Sequence, residues 1–152
     1  MSDRDRAEYD RVVFIDRSPD AVFEFCRQGE NFAKISPERI TPTRATRDTV
    51  VKPGGTYVFR HWISNVIPMR WRVEIVDYEY GHHYVDFQRR GPFRYFRHTH
   101  TCEPEGSGTK YSDRVEFESY FGPRVDRLIK RRLASVFAHR QREMKRLLED
   151  EP

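Results

Sequence analysis

The chain of 152 residues is poor in cysteine and has no long apolar run. Its two cysteines, Cys26 and Cys102, lie far apart and form no CxxC pair, which argues against a disulfide scaffold or a zinc ribbon. We expect both to be buried as small apolar residues. No segment approaches the ~20 apolar residues that span a bilayer. The charged start, MSDRDRAEYD, lacks the apolar stretch of a signal peptide, so we expect a cytoplasmic protein.

Aromatic residues are abundant although the hydrophobic fraction is only 37%. The chain has 11 Phe, 8 Tyr and 2 Trp, which is more aromatic surface than a disordered chain carries. The length suits one domain with one sizeable core. We therefore predict a single domain over residues 1–152, in which residues 1–7 form a disordered or extended tail.

The positive charge is concentrated near the C-terminus. The formal net charge is +4, and the segment from Arg124 to Asp150 holds nine basic and four acidic residues. Such a segment is compatible with a face for nucleic acid or an anionic membrane. The solvated outer face of a helix is the more ordinary explanation, and we expect no nucleic acid partner.

Residues 124–148 are predicted to form one long helix after the break at Gly122-Pro123. Apolar residues recur there at steps of three and four, and Arg140 is the one polar member of the row. That row consists of Val125, Leu128, Ile129, Leu133, Val136, Phe137, Arg140, Met144, Leu147 and Leu148. The stripe needs a partner surface in which to be buried.

Alternating segments predict antiparallel strands with one buried face. Four of them alternate clearly, with inward residues Tyr57, Phe59, His61 and Ile63; Met69, Trp71, Val73 and Ile75; Phe96, His98, His100 and Cys102; and Tyr111, Asp113, Val115 and Phe117. Residues 8–16 and 39–51 are weaker strand candidates, and the inward face of the strand at 83–90 stays open. Ser18-Pro19-Asp20 predicts a helix start after the first strand, with a short second helix beyond Gly29 that ends at Ile35.

In this layout the chain resembles the SRPBCC superfamily, the START-related helix-grip proteins, and within it a bacterial single-domain ligand-binding or polyketide cyclase-like branch. The resemblance covers nearly the whole chain in order. It is carried by residues 18–23, Gly55-Thr56-Tyr57, residues 67–71, residues 85–88, Gly91-Pro92-Phe93, His98-Thr99-His100, Gly108-Thr109 and Asp113-Arg114-Val115.

The resemblance implies an α+β helix-grip fold, with a curved antiparallel sheet of about seven strands wrapped around the C-terminal helix and two short helices after the first strand. Members bind lipids, polyketides or other apolar molecules in a cavity between sheet and helix, and some cyclise or dehydrate polyketides. They share no single catalytic set, so the fold alone assigns no reaction. We predict binding of a lipid-, polyketide- or aromatic-like small molecule. A polyketide cyclase or dehydratase is the alternative.

Four polar side chains fall on otherwise apolar strand faces: His61, His98, His100 and Asp113. Burying such groups costs about 1–3 kcal/mol each unless they are paired. In the hairpin around residues 105–108, one register sets Asp113 across from His98, and a shift by two sets it across from His100. Three roles remain open for this Asp–His pair. It is a structural pair in the cavity wall, a polar anchor for one end of a ligand, or an acid–base set in which His98 or His100 carries the proton and Asp113 orients the imidazole.

His98-Thr99-His100 also has the strand spacing of a metal site, and with His61 and Asp113 it offers four ligands. However, His61 belongs to a strand distant in sequence, and HxH is a common accident. We predict no metal and no cofactor.

The predicted ligand-binding residues are mostly aromatic, and the chain has only four leucines to fill a core. This balance favours a lined pocket with a few polar groups over a simple packed core, which remains the alternative. The set is Tyr57, Phe59, His61, Met69, Trp71, Phe96, His98, His100, Asp113, Val115, Phe117, Val136 and Phe137. The sequence leaves the ligand and the oligomeric state open.

Overall fold

Seven strands and three helices form in the part of the chain that the structure, a computed structural model, describes: residues 6–43 and 48–150. Their order is β1 (Ala7–Ile15), α1 (Pro19–Arg27), α2 (Gly29–Ile35), β2 (Ile40–Pro42), β3 (Thr56–Ile63), β4 (Ile67–Glu79), β5 (His83–Arg90), β6 (Tyr95–Glu105), β7 (Gly108–Glu118) and α3 (Pro123–Asp150). Within the described ranges, no helix combines the length and the apolar character needed to cross a bilayer.

The strands form one antiparallel sheet in the order β1-β7-β6-β5-β4-β3-β2. Strands β3 to β7 are a meander, and β1 returns to pair with β7, so the first and last strands of the chain are neighbours. This sheet with its long C-terminal helix confirms the predicted α+β helix-grip fold. Ala7, predicted to lie in the tail, is the first residue of β1 and pairs with Phe117; residues 1–5 lie outside the described part.

Local signals explain where the helices begin. The Ser18 hydroxyl accepts a hydrogen bond from the amide of Ala21 at 3.2 Å, and Pro19 occupies the first helical position of α1. The break between α1 and α2 falls at Gln28, immediately before Gly29. The weak strand candidate at 39–51 is much shorter than predicted, since β2 ends at Pro42 and beyond it only Val50 forms an isolated bridge, to Gln28. Residues 44–47 of that candidate are outside the described ranges.

The hairpin of β6 and β7 adopts the second of the two predicted registers. Glu105 pairs with Gly108 across a two-residue turn, and His100 therefore faces Asp113. Gly106 adopts a positive φ of 56°, as such tight turns require. The inward faces of β6 and β7 consequently meet in the middle of the sheet.

Helix α3 packs on the sheet through an apolar stripe that a few polar residues interrupt. At ~1.5 Å per residue it is about 42 Å long. Its buried residues are Asp126, Val136, Phe137, Gln141, Met144 and Leu148. Gln141 anchors the helix to the edge strand, because its Nε2 donates to the carbonyl of Arg11 at 3.0 Å. Leu128, predicted in the stripe, is instead 62% exposed, since it lies about 100° around the helix from Ile129.

Candidate functional site

A cavity of about 700 Å³ lies between the sheet and α3. Strands β3 to β7 form one wall, the helices α2 and α3 form the other, and apolar side chains make up most of the surface. The packed core consists of two separate clusters, one around Phe23 and Met144 and one around Trp71 and Phe117. The interior of the molecule is therefore not filled by side chains.

Ten of the thirteen predicted ligand-binding residues line this cavity. They are Tyr57, Phe59, His61, Trp71, Phe96, His98, His100, Asp113, Val136 and Phe137. Met69, Val115 and Phe117 do not belong to the lining. Val115 and Phe117 are fully buried in the core, where the ring of Phe93 packs on Phe117 at 5.8 Å, and Met69 packs against the same cluster. Alternation selects the correct face of the sheet, but it does not distinguish a residue under the cavity from one in the packed core.

Asp113 is the centre of a buried hydrogen-bond network. Its Oδ1 accepts from His98 Nε2 at 2.8 Å and from the Tyr111 hydroxyl at 2.8 Å. Its Oδ2 accepts from Gln141 Nε2 at 2.9 Å, which links the sheet to α3. Although His100 is the residue directly across from Asp113, the short contact runs diagonally to His98.

Asp86, on β5, extends the network. Its Oδ2 accepts from His100 Nε2 at 2.7 Å and lies 3.6 Å from His98 Nδ1, so the two imidazoles stand between two carboxylates. His100 Nδ1 is 3.1 Å from the Tyr111 hydroxyl, and the Tyr84 ring stacks on His100 with centroids 4.1 Å apart. The inward residues of β5, left open by the sequence, are therefore Tyr84 and Asp86, which line the cavity.

The network controls which groups are charged. Burial alone would raise the pKa of Asp113, but the hydrogen bond and charge of His98, together with His100 and Gln141, lower it to about 2. Burial would likewise raise the pKa of Asp86, and His98 and His100 reverse the effect and lower it. Burial and the charge of His98 lower the pKa of His100, against the opposing influence of Asp86. The two carboxylates are thus ionised, and the His100 ring is held neutral.

The four ligands considered from the sequence, His61, His98, His100 and Asp113, do not come together as one metal site. Asp86, His98 and His100 offer three ligand atoms within 4.8 Å of one another. His61 lies elsewhere, with its Nε2 3.6 Å from Glu38 Oε2 and its ring 6.4 Å from that of Trp71. The Asp86 and His100 atoms of this cluster are hydrogen-bonded to each other at 2.7 Å, and Asp113 is not one of its three ligands.

Several polar atoms of the cavity wall have no hydrogen-bond partner among the described residues. Buried and unpartnered atoms of the lining are His61 Nε2, Trp71 Nε1, Arg140 Nε and Gln141 Oε1. A buried polar group without a partner costs about 1–3 kcal/mol, so these four atoms are the uncompensated polar groups of the described cavity lining.

Sequence reasoning missed Asp86, Tyr84, Arg140 and Gln141 as site residues. For Arg140 a signal existed, since it interrupts the apolar row of the helix, and it lines the cavity. For Gln141 no signal was available, because it is one polar residue among many on the helix. Asp86 follows from the sequence only once the inward face of β5 is known.

Comparisons with known proteins agree on the fold. The family model described as "Polyketide cyclase / dehydrase and lipid transport" matches residues 6–149. A search of curated proteins gives no match. Among solved structures, a protein from Chromobacterium violaceum is 12% identical with a TM-score of 0.75, covering 95% of this chain and 98% of its own. A START superfamily protein from Mycobacterium smegmatis is 11% identical with a TM-score of 0.73, covering 93% and 97%.

The family match spans almost the whole described chain, and the structural likeness includes a START superfamily member. Both agree with the resemblance to the SRPBCC superfamily that the sequence motifs indicate. The chain belongs to the polyketide cyclase/dehydrase and lipid transport family.

Proposed function

We propose that the protein binds a hydrophobic small molecule, lipid-, polyketide- or aromatic-like, in the cavity between the sheet and α3. The observation that carries this proposal is the cavity of about 700 Å³. Small-molecule sites are typically apolar pockets of roughly 300–1,000 Å³ with a few convergent polar groups. The family description, which includes lipid transport, supports the same function.

The aromatic wall suits a flat or elongated apolar ligand. The rings of Phe59 and Trp71 are stacked with centroids 6.1 Å apart, and Phe96 meets Trp71 edge to face at 5.2 Å. Such rings offer large contact areas at low conformational cost. The polar network around Asp113 lies in the same lining and gives the ligand a polar end to face.

Binding of a neutral fluorescent probe tests the proposal. The probe is 1-pyrenebutanol, whose emission band ratio reports transfer from water into an apolar site. Leu133, half-buried in the lining, is replaced by Trp to fill the cavity; Leu128→Trp, on the exposed side of α3, is the matched control. We expect Leu133→Trp to weaken probe binding at least ~10-fold, and Leu128→Trp to leave it unchanged. Saturable binding that both variants retain equally would contradict the proposal.

Identification of the ligand needs protein purified from its own host. Native mass spectrometry should show a bound mass that disappears on denaturation, and the same spectrum would report a bound metal. A spectrum of the bare chain alone, from protein that also fails to bind the pyrene probe, would overturn the proposal.

The histidine network favours one second candidate, a polyketide cyclase or dehydratase. Asp113 accepts from His98 Nε2, whereas His98 Nδ1 makes no hydrogen bond among the described residues. In such an enzyme His98 Nδ1 removes a proton from a carbon between two carbonyls. The enolate carbon then attacks a further carbonyl carbon, and the proton returns to the alkoxide oxygen formed there.

His98→Ala and His100→Ala separate the two candidates. An enzyme should lose cyclisation of a poly-β-ketone by about 10²- to 10⁴-fold in at least one of the two variants while it still binds 1-pyrenebutanol. A carrier should show no turnover in the wild type and only weaker binding in the variants. Absence of turnover in the wild type would therefore remove the enzymatic candidate.

A further inference from the structure

Arg140 stands out among the charged residues of the cavity. It lies in the middle of α3, inside the apolar row, and its side chain lines the cavity. Its Nε is buried without a hydrogen-bond partner, and no hydrogen bond or ion pair joins its guanidinium to any described residue. A buried charge is costly unless it is paired, so an unpaired guanidinium at this position requires a physical explanation.

Two aromatic rings hold the guanidinium in place. Its central carbon lies 4.5 Å from the ring centroid of Phe32, on α2, and 5.0 Å from that of Phe137, on α3. Cation–π contacts stabilise the charge and restrain the plane of the group, but they leave its N–H donors free. The side chain is therefore positioned before any ligand arrives.

Nearby protein carboxylates do not serve as its partner. The charges of Asp113 and Asp86 act on Arg140 and oppose the lowering of its pKa by burial. Three of their four oxygens, however, already accept hydrogen bonds, from His98, Tyr111, Gln141 and His100, and no ion pair joins either carboxylate to Arg140. Arg132, the other Lys or Arg of the described lining, donates to Glu38 Oε1 at 2.5 Å. Arg140 is thus the one cation of the described lining whose donors are uncommitted.

We propose that Arg140 binds the acidic end of the ligand, so that the cavity takes an apolar molecule with a single carboxylate. The proposal rests on the proposed function and specifies its ligand class. A guanidinium pairs with a carboxylate through two parallel hydrogen bonds, which a cavity wall can orient. The ionised Asp86 and Asp113 would repel a second negative charge, which favours a monoanion. Trp71 Nε1 is a further unpartnered donor in the same lining.

A pair of probes that differ only in the acidic group tests this inference. 1-Pyrenebutyrate and 1-pyrenebutanol share the ring and the chain, and only the first carries a carboxylate. Arg140→Met keeps an unbranched apolar stem between Phe32 and Phe137 and removes the charge. We expect it to weaken 1-pyrenebutyrate binding roughly 10- to 100-fold, and to leave 1-pyrenebutanol binding unchanged or tighter.

Two further variants keep the test informative if Arg140→Met folds poorly, which circular dichroism would reveal. Arg140→Lys retains the charge without the planar fork, so it should bind 1-pyrenebutyrate with an affinity between those of the wild type and Arg140→Met. Arg142→Met, an exposed neighbour on α3, is the matched control and should change neither probe.

The outcomes separate this inference from the proposed function. If both probes bind the wild type and no Arg140 variant discriminates between them, the anchor is wrong while the binding function stands. If neither probe binds the wild type, the proposed function fails and the anchor fails with it.

Discussion

Asp113 shows how one buried carboxylate can organise a site. It is 3% exposed, and both of its oxygens accept hydrogen bonds inside the protein, from His98, Tyr111 and Gln141. The effect depends on geometry that spans β6, β7 and α3. Arg140 is the contrasting residue, since it is half-buried in the same lining and its buried Nε has no hydrogen-bond partner among the described residues.

Asp113→Asn should make the free energy of unfolding fall less steeply as the pH is lowered. Against the opposing effect of burial, the hydrogen bond and charge of His98 lower the pKa of Asp113 in the fold to about 2, below its ordinary value of 3.8, so the unfolded chain takes up the proton first as the pH falls. The carboxylate therefore stabilises the fold by about 2 kcal/mol above pH ~4, and this is lost towards pH ~2. Urea unfolding at a series of pH values should show a steep decline in the wild type and a shallower one in the variant. Glu105→Gln, at an exposed turn, is the control; an identical slope in wild type and Asp113→Asn would contradict the prediction.

His100→Gln should change the pH dependence at a higher pH. The pKa of His100 is lowered from 6.5, chiefly by burial, so protonation favours the unfolded chain as the pH falls through about 6.5. We expect the wild type to lose unfolding free energy below that pH, and the variant to lose less per pH unit. Thr101→Ala, which removes no titrating group, should keep the wild-type slope. A variant with the same slope as the wild type would show that the pKa of His100 does not differ between the folded and the unfolded chain, and would contradict the prediction.

At the scale of elements, α3 combines three roles along one face. Val136 and Phe137 line the cavity, Arg140 carries the free guanidinium, and Gln141 connects the helix to Asp113. The apolar row predicted the helix and most of this face. It misplaced Leu128, because Leu128 and Ile129 are adjacent in the row and only Ile129 packs against the core.

A matched pair of leucines on α3 measures this difference. Leu148 is 4% exposed and packs in the core around Phe23 and Met144, whereas Leu128 is 62% exposed. Leu148→Ala should lower the free energy of unfolding by about 2–4 kcal/mol, since it leaves a cavity. Leu128→Ala should change it by less than about 0.5 kcal/mol. Chemical denaturation of both variants checks the prediction, and equal losses would contradict the placement of the helix on the sheet.

At the scale of the whole molecule, the sheet and α3 enclose space between two separate core clusters. The outer face of α3 carries the positive charge seen in the sequence, and part of it is neutralised locally. Arg146 pairs with Glu143 at 2.7 Å, and Lys145 pairs with Glu149 at 2.7 Å. The Glu143–Arg146 pair is that of a solvated helix face, whereas Lys145 and Glu149 also hold the helix to the end of β1, because Lys145 donates to the carbonyl of Phe14 and Glu149 accepts from the amide of Asp16.

We therefore predict no binding of a DNA duplex by the intact protein at about 0.15 M salt. Fluorescence anisotropy of a labelled duplex should stay flat on titration, at physiological salt and after moderate dilution of the salt. Saturable binding that weakens steeply with salt would contradict the prediction and assign the basic residues of α3 a role in phosphate contact.

Local sequence patterns were sufficient for much of this fold. Alternation predicts the strands, the steps of three and four predict α3, and Ser18-Pro19 predicts the start of α1, because each depends on periodicity or capping within one element. The family motifs supplied the topology. Ten of the thirteen predicted ligand-binding residues line the cavity, because alternation assigns an inward face to each strand and the apolar row assigns one to α3.

What only the tertiary structure decided concerns contacts between elements. The two-residue turn at Gly106 selected the hairpin register, and the packing of β5 against β6 and the cavity decided that Asp86 faces inward and reaches His100. The separation of the apolar residues into lining and packed core, which removed Val115 and Phe117 from the cavity, likewise depends on where α3 packs. The distance between a strand residue and a helix residue depends on how the two elements pack, and periodicity within one element does not determine it.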